Sequence, residues 1–393
     1  MYRIGQEEID AVTRVIESKE LFKINDGLQT TAHLEEEMKE VFGVDHAIMM
    51  TSGHAALTSA LVAMGVGPGD QVIVPAYTYI ATAMAVVAAG AIPVLAEVDE
   101  TLTICPKDIE KKITKHTKAI APVHIQGFPC NMDAIMEIAK KHNLLVLEDA
   151  CQADGGSFRG KRLGSIGNAG AFSFNFFKVI SAGEGGALIT NDKDIFDRAL
   201  IYHDSSAVAY FGDQLSDVDS KLFCGSEYRA NEVSSAILRE QLKRMDGILT
   251  DLRANKKYVM DALEGVCEFI PSNDIEGDCG TTIAITFDTY ENACKFAKAE
   301  GIAELGGRTP YDTGKHVYKN WTPIMTKTGA LNPLMDPFKM KANKKIVPKY
   351  TDDMCPKTLE LLATTAYIDV NPDWTKEDLD KLVEDIKNAL NSL

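Results

Sequence analysis

Between residues 46 and 148 the chain alternates short apolar runs with helix-patterned stretches, and this alternation constrains the fold more than any other feature. The runs His46–Thr51, Gln71–Val74, Ile92–Glu97, Ala119–His124 and Leu144–Glu148 have strand length. Between them lie helical patterns at Ala55–Met64, Thr78–Ala89, Pro106–Ile113 and Met132–His142. Strand and helix in regular turn build βαβ units, which close into a mostly parallel sheet covered by helices on both faces. The pattern therefore predicts an α/β fold with a large sheet of the seven-stranded type. Two helices precede it, Gly5–Ser18 and His33–Phe42, separated by a polar loop from Lys23 to Thr31.

The pattern changes after Asp192. Helical stretches at Asp194–Tyr202, Asn231–Lys243 and Ile248–Leu263 follow, with a polar loop at Ser205–Lys221. A strand at Thr281–Phe287, a helix at Glu291–Ala299 and an amphipathic helix at Thr375–Asn391 suggest a smaller α+β unit. A chain of 393 residues exceeds one ordinary core. The expected division is a large domain over 1–250, with its N-terminal helical arm, and a small C-terminal domain over 251–393. Residues 322–354 have no assignable counterpart.

The net charge of −16 argues against nucleic acid and anionic membranes, which require a basic face. No apolar run reaches the ~20 residues of a membrane span, and no signal core opens the chain. The eight cysteines are scattered, with neither C-x-x-C pairs nor zinc-ligand spacing. They read as reduced thiols of a cytoplasmic protein, and no metal site is expected.

Ligands bind parallel α/β sheets at the carboxyl ends of the strands. Several polar residues fall at such ends. Lys178 lies in the apolar stretch Gly170–Asn191, just before Gly183-Glu184-Gly185-Gly186. A desolvated lysine loses ammonium character and becomes a Schiff-base candidate; a lysine whose head reaches water is the alternative. Asp149 closes an apolar strand and suits a buried cation, or else caps a helix. Thr51-Ser52-Gly53-His54 turns into a helix, whose free amides suit an anion; a plain capping turn is the other reading. Tyr77 or Tyr79 can cover a planar ring, or simply pack. His124 ends a strand, where a lone histidine is usually structural. An amine, a carboxylate, a helix N-terminus and an aromatic ring are together the partners that pyridoxal 5′-phosphate requires.

These residues lie in motifs that resemble the DegT/DnrJ/StrS-like sugar aminotransferases of the aspartate-aminotransferase fold (fold type I). The motifs are Ile4-Gly5-Gln6-Glu7-Glu8-Ile9, Thr51-Ser52-Gly53-His54-Ala55-Ala56-Leu57, Val74-Pro75-Ala76-Tyr77-Thr78-Tyr79, Pro122-Val123-His124 and Leu147-Glu148-Asp149-Ala150-Cys151-Gln152-Ala153. Phe172-Ser173-Phe174 before Lys178, Gly183-Glu184-Gly185-Gly186 and Gly225-Ser226-Glu227-Tyr228-Arg229 complete them. The resemblance implies that Lys178 carries the cofactor and Asp149 pairs with its pyridinium nitrogen. It places Gln152 near the ring hydroxyl, Tyr79 on the ring, and Gly53, His54 and Ser173 at the phosphate. It implies a homodimer with shared active sites, in which the Glu227 loop serves the partner's cofactor. This chain has His54 where the family usually has Thr or Ser, and Glu227 where it usually has Asn. In the small domain, Arg308, His316 and Tyr318 are the expected substrate residues; a surface loop with a packed Trp321 is the other reading.

The expected function is pyridoxal-phosphate-dependent transfer of an amino group from glutamate or glutamine to a keto-sugar, a keto-acid sugar or a cyclitol, in amino-sugar and polysaccharide biosynthesis. A sugar dehydratase or lyase of the same fold, and a non-catalytic ligand-binding protein, are the alternatives. Lys178 favours transamination, because dehydratase relatives carry His at that place.

Overall fold

A computed structural model describes residues 3–23, 27–205, 218 and 220–393. Most of the Ser205–Lys221 loop lies outside them. The central element is a seven-stranded sheet. Its strands are β1 (His46–Met50), β2 (Gln71–Pro75), β3 (Ile92–Ala96), β4 (Thr117–Ile120), β5 (Leu145–Asp149), β8 (Ala169–Ser173) and β9 (Gly186–Thr190), with a small hairpin, β6 (Ser157–Phe158) and β7 (Lys161–Arg162), inserted before β8. The spatial order is β1-β9-β8-β5-β4-β2-β3. β2 pairs in parallel with β3 and β4, and β5 with β4 and β8; β9 runs antiparallel to both its neighbours. The mostly parallel α/β sheet expected from the alternation is therefore present. Strands buried on both faces read as continuous apolar runs, as β2 and β3 do here.

Helices α1 (Gln6–Ser18) and α2 (Thr30–Phe42) form the N-terminal arm, and α3 (Gly53–Ala63) follows β1. Nearly every residue of α3 is buried, so its Ala-rich sequence allows close approach to the sheet. Then come α4 (Ala81–Ala88), α5 (Pro106–Lys112), α6 (Met132–His142) and α7 (Lys193–His203). α6 has the predicted boundaries.

Two expectations change. The helix pattern at Thr78–Ala89 begins only at Ala81, because the preceding amides are taken by another segment. Thr78 N–H donates to His316 O at 2.9 Å and Ile80 N–H to Lys315 O at 3.0 Å, while Tyr318 N–H donates to Ala76 O at 3.0 Å. In addition, the two helices read on either side of residue 247 are one 31-residue helix, α8 (Glu232–Ala262). Met245, Ile248, Leu249 and Leu252 continue one buried face through Gly247, so tertiary packing overrides glycine's low helix propensity. The domain boundary expected near residue 250 thus falls inside a continuous helix.

Beyond α8, β10 (Glu268–Phe269), β11 (Thr282–Thr286) and β12 (Thr365–Asp369) form a three-stranded antiparallel sheet. Helices at Tyr290–Ala297 and Lys376–Asn391 pack on it, the latter capped by Thr375. Residues 322–354 run back along the edge strand β3. Tyr350 Oη–H donates to Pro93 O at 2.6 Å, Gln71 Nε2–H to Ile346 O at 2.7 Å, and Asn343 Nδ2–H to Gly90 O at 2.8 Å. An uncovered sheet edge is a template for wrong pairing, and this segment covers one.

Gly247 is the point where the helix is weaker than its packing needs, since a Cβ there meets nothing within 4 Å. Gly247→Ala is expected to stabilise the fold by about 0.5–1 kcal/mol, read as a raised denaturation midpoint with an unchanged m-value.

Candidate active site

The carboxyl ends of β1, β2, β5 and β8 meet the start of β9 along one sheet edge, and the candidate residues gather there. The closest packing is at α3's first turn. A Cβ on Gly53 would lie 2.7 Å from Ser173 Cβ and 2.8 Å from Cys151 Sγ. One on Gly186 would lie 2.3 Å from Ser52 C and O. Only glycine lets the helix start seat against β8 and β9. Ser52 caps the helix by accepting from Ala55 N–H at 3.1 Å. The first-turn amides of Gly53 and His54 have no intrahelical acceptor and carry the positive end of the helix dipole. His54 is half-buried, its ring is hydrogen-bonded to the Ala81 backbone, and burial lowers its pKa. Ser173 Oγ accepts from Asn175 N–H at 3.4 Å.

Asp149 ends β5 and is 3% exposed. Its Oδ2 accepts from Thr82 Oγ1–H at 2.7 Å, and its Oδ1 from Cys151 N–H at 3.2 Å. Thr82, on α4's first turn, is in turn 2.9 Å from Thr78 Oγ1. No sequence signal singled out Thr82, because the contact joins two elements 67 residues apart. The neighbouring Glu148 faces the other way, as strand alternation requires. It accepts from the amides of Gly164, Ile166 and Gly167, and its Oε2 lies 3.1 Å from His124 Nε2. Cys130 N–H donates to His124 Nδ1 at 3.1 Å, so Nε2 carries the proton given to Glu148. His124 is structural.

Lys178 is half-buried in the loop between β8 and β9. That loop is closed by Phe174 N–H to Gly185 O at 2.9 Å and Phe176 N–H to Gly183 O at 3.1 Å. Phe174, Val179 and Ile180 in the same loop are buried, whereas Phe177, next to the lysine in sequence, is 83% exposed. The Lys178 charge acts on Cys151, Asp154 and His316, which puts all four groups in one electrostatic neighbourhood. Gln152 Oε1 accepts from Gln126 N–H at 3.1 Å, turning its Nε2 the other way.

The segment just before the 3₁₀ turn at Tyr318–Asn320 contributes His316. Its ring lies 5.6 Å from that of Tyr79, which is partly exposed, and 6.4 Å from that of buried Tyr77. Burial, reinforced by Lys178, Arg308 and Lys315, lowers His316 to about 4, so the ring is neutral at pH 7. Arg308 Nη1 is 2.8 Å from both Asp369 Oδ1 and Gly306 O; it borders the site with its charge already countered.

Two expected residues are engaged elsewhere. Tyr318 is fully buried, and its hydroxyl donates to Asp352 O at 2.6 Å and accepts from Cys355 N–H at 3.2 Å. It anchors the segment around residues 352–355 and offers a substrate nothing. Glu227 is held within its own chain by Arg229 Nε at 2.8 Å and by Ser205 Oγ–H at 2.9 Å, so a single copy brings no cofactor contact from it. Trp321 is buried, its Nε1–H donating to Lys315 O at 3.1 Å.

The DegT/DnrJ/EryC1/StrS aminotransferase family model matches residues 2–305. This chain belongs to that family. It is 43% identical over 216 residues to a GDP-perosamine synthase of Caulobacter vibrioides, a match covering 54% of this chain and 56% of the relative. It is 34% identical to an L-glutamine:2-deoxy-scyllo-inosose aminotransferase of Streptomyces lividus, over 76% of this chain and 70% of that one. An aminotransferase structure from Psychrobacter cryohalolentis superimposes with a TM-score of 0.79 at 28% identity, covering 100% of this chain and 98% of the other. The matched stretch thus spans just over half of the Caulobacter relative. Among the described residues no helix is long and apolar enough to cross a membrane.

The Thr82–Asp149 contact is open to a direct test. Thr82→Val removes a donor from a buried carboxylate and is expected to cost about 1–3 kcal/mol of stability. Thr82→Ser, which keeps the hydroxyl, should recover most of that loss in the same unfolding measurement.

Proposed function

We propose that this chain is a pyridoxal 5′-phosphate-dependent aminotransferase that moves an amino group from glutamate or glutamine to a keto or aldehyde carbon of a sugar or cyclitol, in amino-sugar biosynthesis. The observation that carries this reading is the convergence of Lys178, buried Asp149 and the Gly53–Ser173 seam at one sheet edge. The donor set fits the cofactor: an amine, an acceptor held ready for a ring N–H, and a helix start whose free backbone amides lie against the Ser173 side chain and suit an anion. When bound, the cofactor supplies the electron sink for the reaction.

The chain's own residues divide the remaining work. Lys178 would be the residue that holds the cofactor, through Nζ, and its amine would be the base available for moving a proton at the substrate. Asp149, fixed by Thr82 and Cys151, would accept from the cofactor's ring nitrogen and keep it protonated. The Gly53 and His54 amides and the Ser173 hydroxyl would hold the phosphate. Tyr79 would cover the ring, and Gln152 would serve the ring hydroxyl. His316 is uncharged at pH 7 and lines the acceptor side, where it can hydrogen-bond sugar hydroxyls without imposing a charge. Arg308 borders it.

The names of the Caulobacter and Streptomyces relatives support a carbohydrate-like acceptor, and the second supports glutamine as donor. The exposed Phe176 and Phe177 beside Lys178 support a homodimer in which a second copy covers this rim. Phe177→Glu would place a charge there and is expected to raise the monomer fraction in analytical ultracentrifugation.

For the reaction itself, wild-type protein mixed with pyridoxal 5′-phosphate should gain a visible absorption band that Lys178→Ala lacks. L-Glutamate or L-glutamine should then convert the bound cofactor stoichiometrically to pyridoxamine 5′-phosphate. A wild-type protein that binds cofactor but yields no pyridoxamine form would overturn the assignment.

A further inference from the structure

Lysines collect along the rim at the amino ends of the sheet, opposite the candidate site. Two segments supply them. One runs into β4 and holds exposed Lys115 and Lys118; the other, inside the 322–354 stretch, holds exposed Lys341, Lys344, Lys345 and Lys349. Gln71, the first residue of β2, joins the two: its Nε2–H donates to Ile346 O at 2.7 Å, and its Oε1 accepts from Thr114 Oγ1–H at 2.6 Å. Asn343 fixes the second segment beside it, accepting from Gly69 N–H at 2.6 Å and donating to Gly90 O at 2.8 Å. Among the described residues none of these lysines has an ion pair or a side-chain hydrogen bond.

A projecting loop adjoins them. Leu331, Leu334 and Met335 are 99%, 88% and 66% exposed. The loop is clamped at its base by buried Asp336, whose Oδ1 accepts from Gly329 N–H and Phe338 N–H, each at 3.1 Å, and whose Oδ2 pairs with Lys339 Nζ at 2.8 Å. Asn343 Nδ2–H also donates to Pro337 O at 2.8 Å, so the loop base and the lysine-bearing turn share one anchor. Single exposed leucines are ordinary. Three large apolar side chains within five residues, on a loop held at its base, form a patch that marks an interaction surface.

The chemistry of this face selects its partner. Neither 111–118 nor 322–354 contains arginine. Arginine's fork reads phosphates in fixed geometry, whereas lysine is a hydrated point charge that suits a diffuse anionic surface. The aromatic residues of the second segment, Phe338 and Tyr350, are buried, so they offer no ring for a nucleic-acid base to stack on. Lysines beside projecting apolar side chains match a bilayer interface, where the charges meet anionic headgroups and the leucines enter the acyl boundary. The net charge of −16 hides this basic face. It does not cancel the attraction, because exposed charges more than about 8 Å away are largely screened at physiological salt.

We propose that the lysine rim and the Leu331–Met335 loop form a docking surface for an anionic lipid bilayer. Docked this way, the carboxyl ends of the strands, with Lys178 and Asp149, face away from the lipid, and the candidate site stays open to solutes.

The test is co-sedimentation of the full-length protein with lipid vesicles. Wild type is expected to sediment with vesicles of phosphatidylcholine and phosphatidylglycerol in equal parts, to stay in solution with phosphatidylcholine alone, and to be released by high salt. Lys344→Glu with Lys345→Glu should cut the partition coefficient about tenfold or more. Leu331→Ser with Leu334→Ser should lower it several-fold. All four positions are exposed and lie outside the candidate site; should the charge reversals not fold, Lys344→Gln with Lys345→Gln should give a smaller drop in the same direction. Wild type that stays in solution with the anionic vesicles overturns the proposal, and this is the outcome if the partner is an acidic protein. Equal binding to both kinds of vesicle, or an unchanged partition after either the lysine or the leucine substitutions, overturns it too. A serine variant of unchanged partition that runs as a smaller species without vesicles would assign the loop to a second copy of the chain instead.

Discussion

The structure depends on how closely α3's first turn sits against β8 and β9. Gly53 and Gly186 bring the turn so near the sheet that a single added carbon would overlap Ser173, Cys151 or Ser52. That proximity aims the helix's unpaired amides into the same space as the β8–β9 loop with Lys178. It also joins strands distant in sequence, since β9 is the strand between β1 and β8. A helix start set further back would leave its dipole facing water, where the field is weak.

β5 shows how one strand serves stability and chemistry together. Successive side chains point to opposite faces. Glu148 turns to three backbone amides and His124, locking the strand beneath the β7–β8 loop. Asp149 turns to Thr82 and the site. Neighbouring residues thus separate a carboxylate bonded to backbone amides from one that faces the candidate site.

Much of this was legible in the sequence. Period and composition placed the parallel strands, and motifs in order placed Lys178, Asp149 and the Gly53 turn. What escaped shares one physical cause: partners distant along the chain. Thr82 has no local signature, and its meaning comes from Asp149. Asp154 is one more acidic residue in a loop until the fold buries it. Tyr318 sits near His316 in sequence, yet faces into the core, because the short 3₁₀ turn at Tyr318–Asn320 redirects the chain. The helix over Glu232–Ala262 reads as two stretches, Asn231–Lys243 and Ile248–Leu263, because propensity is local, whereas the buried face that joins them is not.

The short pairing between residues 76–80 and 315–318 has a mechanical consequence. Its three backbone hydrogen bonds tie the segment bearing Tyr79 to the segment bearing His316. The Tyr79 and His316 rings, 5.6 Å apart, are therefore carried on one hydrogen-bonded pairing, and a shift of either segment would carry the other. Under the proposed function, a ligand that drew His316 inward would draw the Tyr79 ring with it, so binding an acceptor and covering the pocket would be one event.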